Sequence, residues 1–308
     1  MRRAAVIFLA SDFASLLGNA AVVLVLPYLV LLRTGDPAAA GIVAATSAVP
    51  GFVAAVAGGA LVDRIGRRRM SIIADVGSAA SIALLALVDA TLGLSLGWFI
   101  ALGLLGALFD VPGMTARDAM LGRVAQVSNV PLERLAGIKR AGYGLAFLVG
   151  PAAAGIALTF LPAPAVLIAV AGCSALAALL AFASPKSLAQ HAVDEKLPRA
   201  VGAPEAAPPA PFGLRAIREG FTLLAASRIA AATTLLGVGS MFAIGPLQAV
   251  VLPTLFSRGG TDGRGAPELL GAALATVAVG LIAGALLSAP FMAAAGRRAA
   301  LVTALLGS

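Results

Sequence analysis

An all-α fold of many membrane-spanning helices is what this 308-residue sequence predicts, from three observations. Hydrophobic residues make up 60% of the chain and charged residues only 12%, with a mean hydropathy of +1.00. The apolar residues are gathered into eight stretches long enough to cross a bilayer, and a ninth begins near the end. The basic residues fall almost entirely between alternate stretches. A soluble globular chain carries about a quarter charged residues, so a soluble domain of this size could not cover its surface with so few. Disorder is excluded because disordered chains are poor in apolar residues. One cysteine excludes a disulfide scaffold, and the 35 glycines show no three-residue period.

A spanning helix needs about 20 mostly apolar residues. In chain order the stretches run over 5–32, 38–62, 70–88, 95–114, 138–160, 164–184, 229–256 and 268–292, and then from 299 onward. They are too long for barrel strands and do not alternate apolar with polar. The first is too long for a removed signal peptide and has no small-residue cleavage site with a polar sequence behind it. With the N-terminus in the cytoplasm, nineteen of the 22 basic residues lie on the inside, and only Arg33, Arg258 and Arg264 lie outside. Among the inside charges are Arg117, Arg123, Arg134, Lys139 and Arg140, placed in a loop between the fourth and fifth spans. This asymmetry is the positive-inside pattern of a multi-pass protein of the cell (inner or plasma) membrane. It also accounts for the net charge of +8. Nucleic acid is not expected as a partner, since the basic residues are split among short loops.

The chemistry open to the chain is narrow. Cys173 lies in an apolar run with no second cysteine, and His191 is the single histidine. A zinc site needs several Cys, His or carboxylate ligands. No P-loop, HExxH or GxSxG sequence occurs. Neither an enzyme nor a bound cofactor is expected.

The organisation expected is a six-helix N-terminal transmembrane bundle over 1–184, a cytoplasmic linker over 185–220, and a partial C-terminal bundle over 221–308. The linker contains Pro204, Pro208, Pro209 and Pro211 with alanine and glycine between, a flexible or semi-extended composition. Its end, around Leu214–Leu224, has one charged and one apolar face and could lie at the membrane surface. Two landmarks recur. Val25-Leu26-Pro27 returns as Val251-Leu252-Pro253, and Gly66-Arg67-Arg68 returns as Gly296-Arg297-Arg298, at nearly the same separation. Repeated halves are common in secondary transporters. The chain stops inside its ninth apolar stretch, which reads as a truncated or partial sequence.

The loop after the second span reads Gly59-Ala-Leu-Val-Asp63-Arg64-Ile-Gly66-Arg67-Arg68-Arg69. Positive-inside topology explains the arginines but not Asp63 or the spaced glycines. Gly59 can let another helix approach, and Gly66 can make a tight turn. Asp63 can face a helix dipole, and the arginines can clamp a carboxylate. This segment resembles the loop 2–3 signature of the major facilitator superfamily. A second segment, Gly137, Ala146, Gly150-Pro151 and Gly155, resembles that family's fifth-span signature, although ordinary small-residue packing is also open. A third, from Leu108 through Asp110, Pro112 and Arg117 to Arg134, resembles the fourth span and following loop of bacterial drug-exporter-like members. The resemblance implies major-facilitator-type bundles and no enzyme activity. It also implies a cytoplasmic latch that stabilises the outward-open state, with Asp110 expected to meet Asp63 and Arg67.

A charged residue in the bilayer costs at least about 2.5–3.5 kcal/mol on insertion scales, so each one asks for a reason. Asp12 lies within the first span and Asn19 follows two turns later, near the same helix face. Asp12 can be a coupling or cation-recognising carboxylate on a cavity wall, or it can be wetted from the cytoplasm or cap a neighbouring helix. Asp75 and Asp110 are placed near the inner ends of the third and fourth spans, against the 64–69 arginines. With 13 Phe, 2 Tyr and 1 Trp, no broad aromatic binding surface is expected. The resulting expectation is a secondary transporter of a small molecule, in a lipid bilayer, exporting by proton-coupled alternating access. The alternative is a non-transporting membrane protein: a truncated relic, a partner-dependent subunit or a sensor.

Overall fold

The structure is a computed structural model that describes residues 2–185 and, further on, 222, 231–232, 234–235, 239, 245–258, 268–276 and 279–280. The expected linker beyond its first residue, its surface-lying end apart from Thr222, and the ninth stretch lie outside the described residues. Every regular element described is helical. Six helices come first: α1 Arg2–Thr34, α2 Pro37–Ile65, α3 Arg67–Thr91, α4 Leu96–Ser128, α5 Leu132–Phe160 and α6 Ala163–Ala183. A π-helical segment, Leu247–Val251, then runs into α7, Leu252–Arg258. Five of the first six helices are long and apolar enough to cross a membrane.

The turns follow from local chemistry. Gly35 takes φ +68° at the end of α1, and the Asp36 side chain accepts a hydrogen bond from the Ala38 N–H at 2.8 Å while Pro37 opens α2. Asn129 takes the left-handed conformation that closes α4, and Pro131 starts the next helix. Pro162 does the same before α6. Gly66 is the sole residue between α2 and α3; its φ of +92° is one that a side chain rarely permits.

Around the bundle the neighbours run α2, α4, α3, α6, α1, α5, and α1 also touches α4 across the middle. The principal core joins Leu24, Val25, Tyr28 and Leu29 of α1 to Leu85 of α3, Phe99 of α4 and Leu167 of α6. The opposite surface is also apolar: Phe160 is 82% exposed, Phe182 71% and Leu179 67%. In water such a surface would drive association. In a bilayer it is the face turned to lipid.

One expected boundary is corrected. Hydropathy ends the fourth span near residue 114 and begins the fifth near 138, with a charged loop between. Instead α4 continues to Ser128 and α5 begins at Leu132. Hydropathy falls at the first charges, but helical hydrogen bonding does not, so the charges of 115–128 ride on a helix rather than in a loop.

The later segments dock on the first six helices at two places. Leu252 and Phe256 pack against the principal core, and Val250 lies beside Gly41 of α2. Leu270 and Leu274 of the helical residues 268–276 are buried in that same core.

Candidate functional site

Close approach of α3 to α4 builds the site. A β-carbon placed on Gly77 would sit 2.5 Å from the Phe109 ring, and one on Gly113 would sit 2.6 Å from the Ala74 β-carbon. Neither position has room for a larger residue. The absent side chains bring the two helices near enough for Asp75 to reach Arg117.

Arg117 Nη2 donates to both carboxylate oxygens of Asp75, and Arg117 Nε lies 3.9 Å from Asp12 Oδ1. Lys139 Nζ is 3.5 Å from the same Asp12 oxygen and pairs with Asp118 on its outer side. The Asp12, Asp75 and Arg117 side chains are each no more than 6% exposed. Two carboxylates and two cations, drawn from α1, α3, α4 and α5, therefore balance one another inside the bundle. Isolated buried charge would cost several kcal/mol per ion; here each is offset by a partner on another helix, so the network fixes how the helices sit.

A cavity of about 190 Å³ adjoins this network. Its polar lining consists of Asn19, Ser47, Ser78, Ser81 and Asp110; the rest is aliphatic or glycine. The relation is consistent along three helices. Asn19 follows Asp12 by seven residues on α1, Ser78 follows Asp75 by three on α3, and Asp110 precedes Arg117 by seven on α4. Seven residues of helix rise about 10 Å, so the cavity floor lies one to two turns from the ion pairs. Asp110 accepts a hydrogen bond from Ser78 Oγ at 2.6 Å, and no lysine or arginine among the described residues lies within ion-pair distance of it. The Ser47 hydroxyl has no hydrogen-bond partner among the described residues.

Among the described residues, the arginines of the latch expected at the end of the second span have the following partners. Arg67 Nη1 donates to the Ala119 carbonyl at 2.9 Å. Arg68 Nε donates to Ser184 Oγ at 3.1 Å and its Nη2 to the Phe182 carbonyl at 2.5 Å, tying the start of α3 to the end of α6. Arg64 and Arg69 are exposed. Among the described residues, Arg67 and Arg68 thus serve carbonyl and hydroxyl oxygens, and the carboxylate clamp belongs to Arg117. Asp110 does not join Arg67, because it sits deeper along the lengthened α4 and is held by Ser78. Asp75 likewise meets Arg117 rather than the 64–69 arginines. The Asp63 side chain lies outside the described residues. Gly59 was expected to admit a neighbouring helix; a β-carbon there would meet nothing within 4 Å among the described residues. The closer approach is one residue earlier, at Gly58 beside Pro112.

The fifth-span glycines divide. A β-carbon on Gly150 would lie 2.9 Å from the Ala20 β-carbon and 3.1 Å from α1 backbone atoms at Leu17 and Ala21. Ala146, Pro151 and Gly155 are buried beside it. On the other side, a β-carbon on Gly271 would fall 2.7 Å from the Pro151 carbonyl oxygen. A β-carbon on Gly137 would meet nothing within 4 Å among the described residues.

Positive-inside counting places Arg117, past the fourth stretch, and Lys139, at the start of the fifth, among the loop charges. A signal for them did exist: Asp12 and Asp75, set among apolar residues, required cations, and Arg117 lies two turns along one face from Asp110. Ser47 carried no signal, since a lone serine in an alanine-rich stretch is unremarkable.

Residues 8–308 match the Major Facilitator Superfamily. The chain is 30% identical over 295 residues to the multidrug efflux pump Tap of Mycolicibacterium fortuitum, a match covering 94% of this chain and 67% of that protein. It is 39% identical over 150 residues to the multidrug efflux pump Tap of Mycobacterium tuberculosis (strain ATCC 25618 / H37Rv), covering 47% of this chain and 36% of that one. Helices that span a bilayer, a polar-floored cavity between them and this likeness agree: the chain belongs to the major facilitator superfamily of membrane transporters.

Proposed function

We propose that the protein is a secondary active exporter of a small molecule, exchanging its substrate for protons by alternating access. The observation that carries this reading is the buried group of Asp12, Asp75, Arg117 and Lys139 next to a cavity floored by Asp110. Ion pairs shared among four helices can be redistributed when one carboxylate takes up a proton, which gives protonation a means of changing how those helices pack. The cavity supplies a binding place within reach of that change. Family membership and likeness to multidrug efflux pumps point to export. The positive-inside pattern supports a cytoplasmic N-terminus, a six-helix unit over 1–184, a linker over 185–220 and a second helical unit over 221–308.

The test is accumulation in everted membrane vesicles, with a labelled panel of one primary amine, one quaternary ammonium ion, one organic anion and one neutral apolar compound. At least one compound should accumulate only when the vesicle interior is acid, and Asp12→Asn should abolish that dependence. Accumulation of none of the four, or accumulation indifferent to the gradient, would reject the reading.

A further inference from the structure

Among the described residues, Lys139 is the one member of the buried charge network that also pairs with a surface group. Its ammonium lies 3.5 Å from Asp12 Oδ1 and bonds directly to Asp118. The two carboxylates stand in opposite surroundings: the Asp12 side chain is 6% exposed and that of Asp118 67%. Helix α4 sets this up with consecutive residues. Successive side chains of a helix point about 100° apart, so Arg117 turns inward to Asp75 and Asp12 while Asp118 turns outward. No other described residue pairs with Asp12. Helix α6, packed along α1, carries no charged residue. Arg64 of α2 is exposed and has no ion-pair partner among the described residues. On α1 itself the nearest charge is Arg3, which is also exposed. Asp12 therefore faces two cations, each already shared: Arg117 with Asp75, and Lys139 with Asp118.

From this arrangement we infer that Asp118 is a positioning residue for Asp12: by holding Lys139 from the water side, it sets the acidity at which Asp12 takes up a proton. The inference rests on the proton-exchange reading and names how its carboxylate is regulated. Seen from Asp12, a lysine already bonded to a carboxylate acts more as a dipole than as a full cation. Take the Asp118 charge away and two things happen with the same sign. Lys139 serves Asp12 alone, and the repulsion between the two carboxylates disappears. Both favour the charged form of Asp12, so a more acid medium is needed to protonate it. Removing Lys139 has the opposite sign. An exposed residue outside the cavity lining thus acts on a buried carboxylate through the lysine between them.

The test is infrared difference spectroscopy of the purified protein in detergent as the pH is stepped, which reports protonated carboxylic acids by their carbonyl stretch. The band that Asp12→Asn removes, or that Asp12→Glu moves if the first variant does not fold, belongs to Asp12. Asp118→Asn should displace the midpoint of that band by about half a pH unit toward acid, the size of an exposed ion pair. Lys139→Gln should displace it by at least about one unit toward alkali. Glu133→Gln, an exposed carboxylate in the first turn of the same α5, should leave it in place. In the Lys139→Gln background the Asp118→Asn displacement should shrink, because the lysine that carries it is gone. An unmoved or alkaline-shifted midpoint in Asp118→Asn would overturn the inference. So would an equal displacement in Glu133→Gln, an undiminished one without Lys139, or an Asp12 band indifferent to pH. None of these measurements needs transport. The transporter reading is judged separately, by gradient-dependent accumulation of any compound in the vesicle panel.

Discussion

Replacing Arg117 with glutamine should be the most damaging single change in the first six helices. It leaves Asp75, with a side chain only 2% exposed, without its guanidinium, and it leaves Asp12 with Lys139 alone. Removing one partner from a buried pair typically costs about 3–5 kcal/mol, because the other charge remains buried and uncompensated. The expected result is a large fall in folded protein recovered in detergent and a lower melting temperature. Pairing the change with Asp75→Asn removes the orphaned charge as well, so the double variant should regain most of the lost stability. Transport should not return with it, because the charge relation on which the proposed exchange depends is gone. The double-mutant cycle reads the coupling between the two residues directly. Equal damage from the single and double variants would mean that Arg117 matters for some reason other than Asp75.

The second large effect is expected at Gly150. The atoms that its missing side chain makes room for include α1 backbone, which cannot rotate away as a side chain can. Gly150→Leu should therefore force α5 from α1, at a cost of at least about 1–3 kcal/mol from overpacking. Since α1 carries Asp12 and α5 carries Lys139, the same displacement should lengthen their 3.5 Å contact. Gly137→Ala is the control from the same helix. A β-carbon there meets nothing within 4 Å among the described residues, and alanine is preferred over glycine in a helix interior by about 0.5–1 kcal/mol. Melting curves of the two variants should move in opposite directions. If Gly150→Leu were tolerated as well as Gly137→Ala, the close contact of α5 with α1 would not be what holds these helices together.

Much of the architecture was legible because a bilayer leaves few choices. Long apolar runs must be helices there, and Gly66 makes the tight turn that its place in the loop motif implied. The candidate site was legible only in part. Asp12, Asn19 and Asp75 stood out because polar groups in an apolar stretch need a reason, and all three reach the network or the cavity wall. Their partners did not stand out. Arg117 lies past the fourth stretch and Lys139 at the start of the fifth, so both read as surface charge, although α4 and α5 carry them into the bundle interior. A positive-inside count assigns a residue to a side of the membrane but says nothing about whether its side chain points inward. The misplacement of Asp110 has the same origin: with the fourth helix ending four turns too early, Asp110 fell at its tip instead of beside the cavity. Ser47 became visible only once Gly103 was seen to lie opposite it.

The central claim is that this cavity opens in turn to the two sides of the membrane. Its most direct test is the labelling of a single cysteine at Asn19, on the cavity wall, in a background in which Cys173, the one native cysteine, is replaced by alanine. Sealed right-side-out and everted vesicles are treated with a membrane-impermeant maleimide. The account predicts that Asn19→Cys reacts from both faces, and that acidifying one face shifts the ratio of the two rates. Reaction from one face alone, with a rate indifferent to pH on either side, would contradict it.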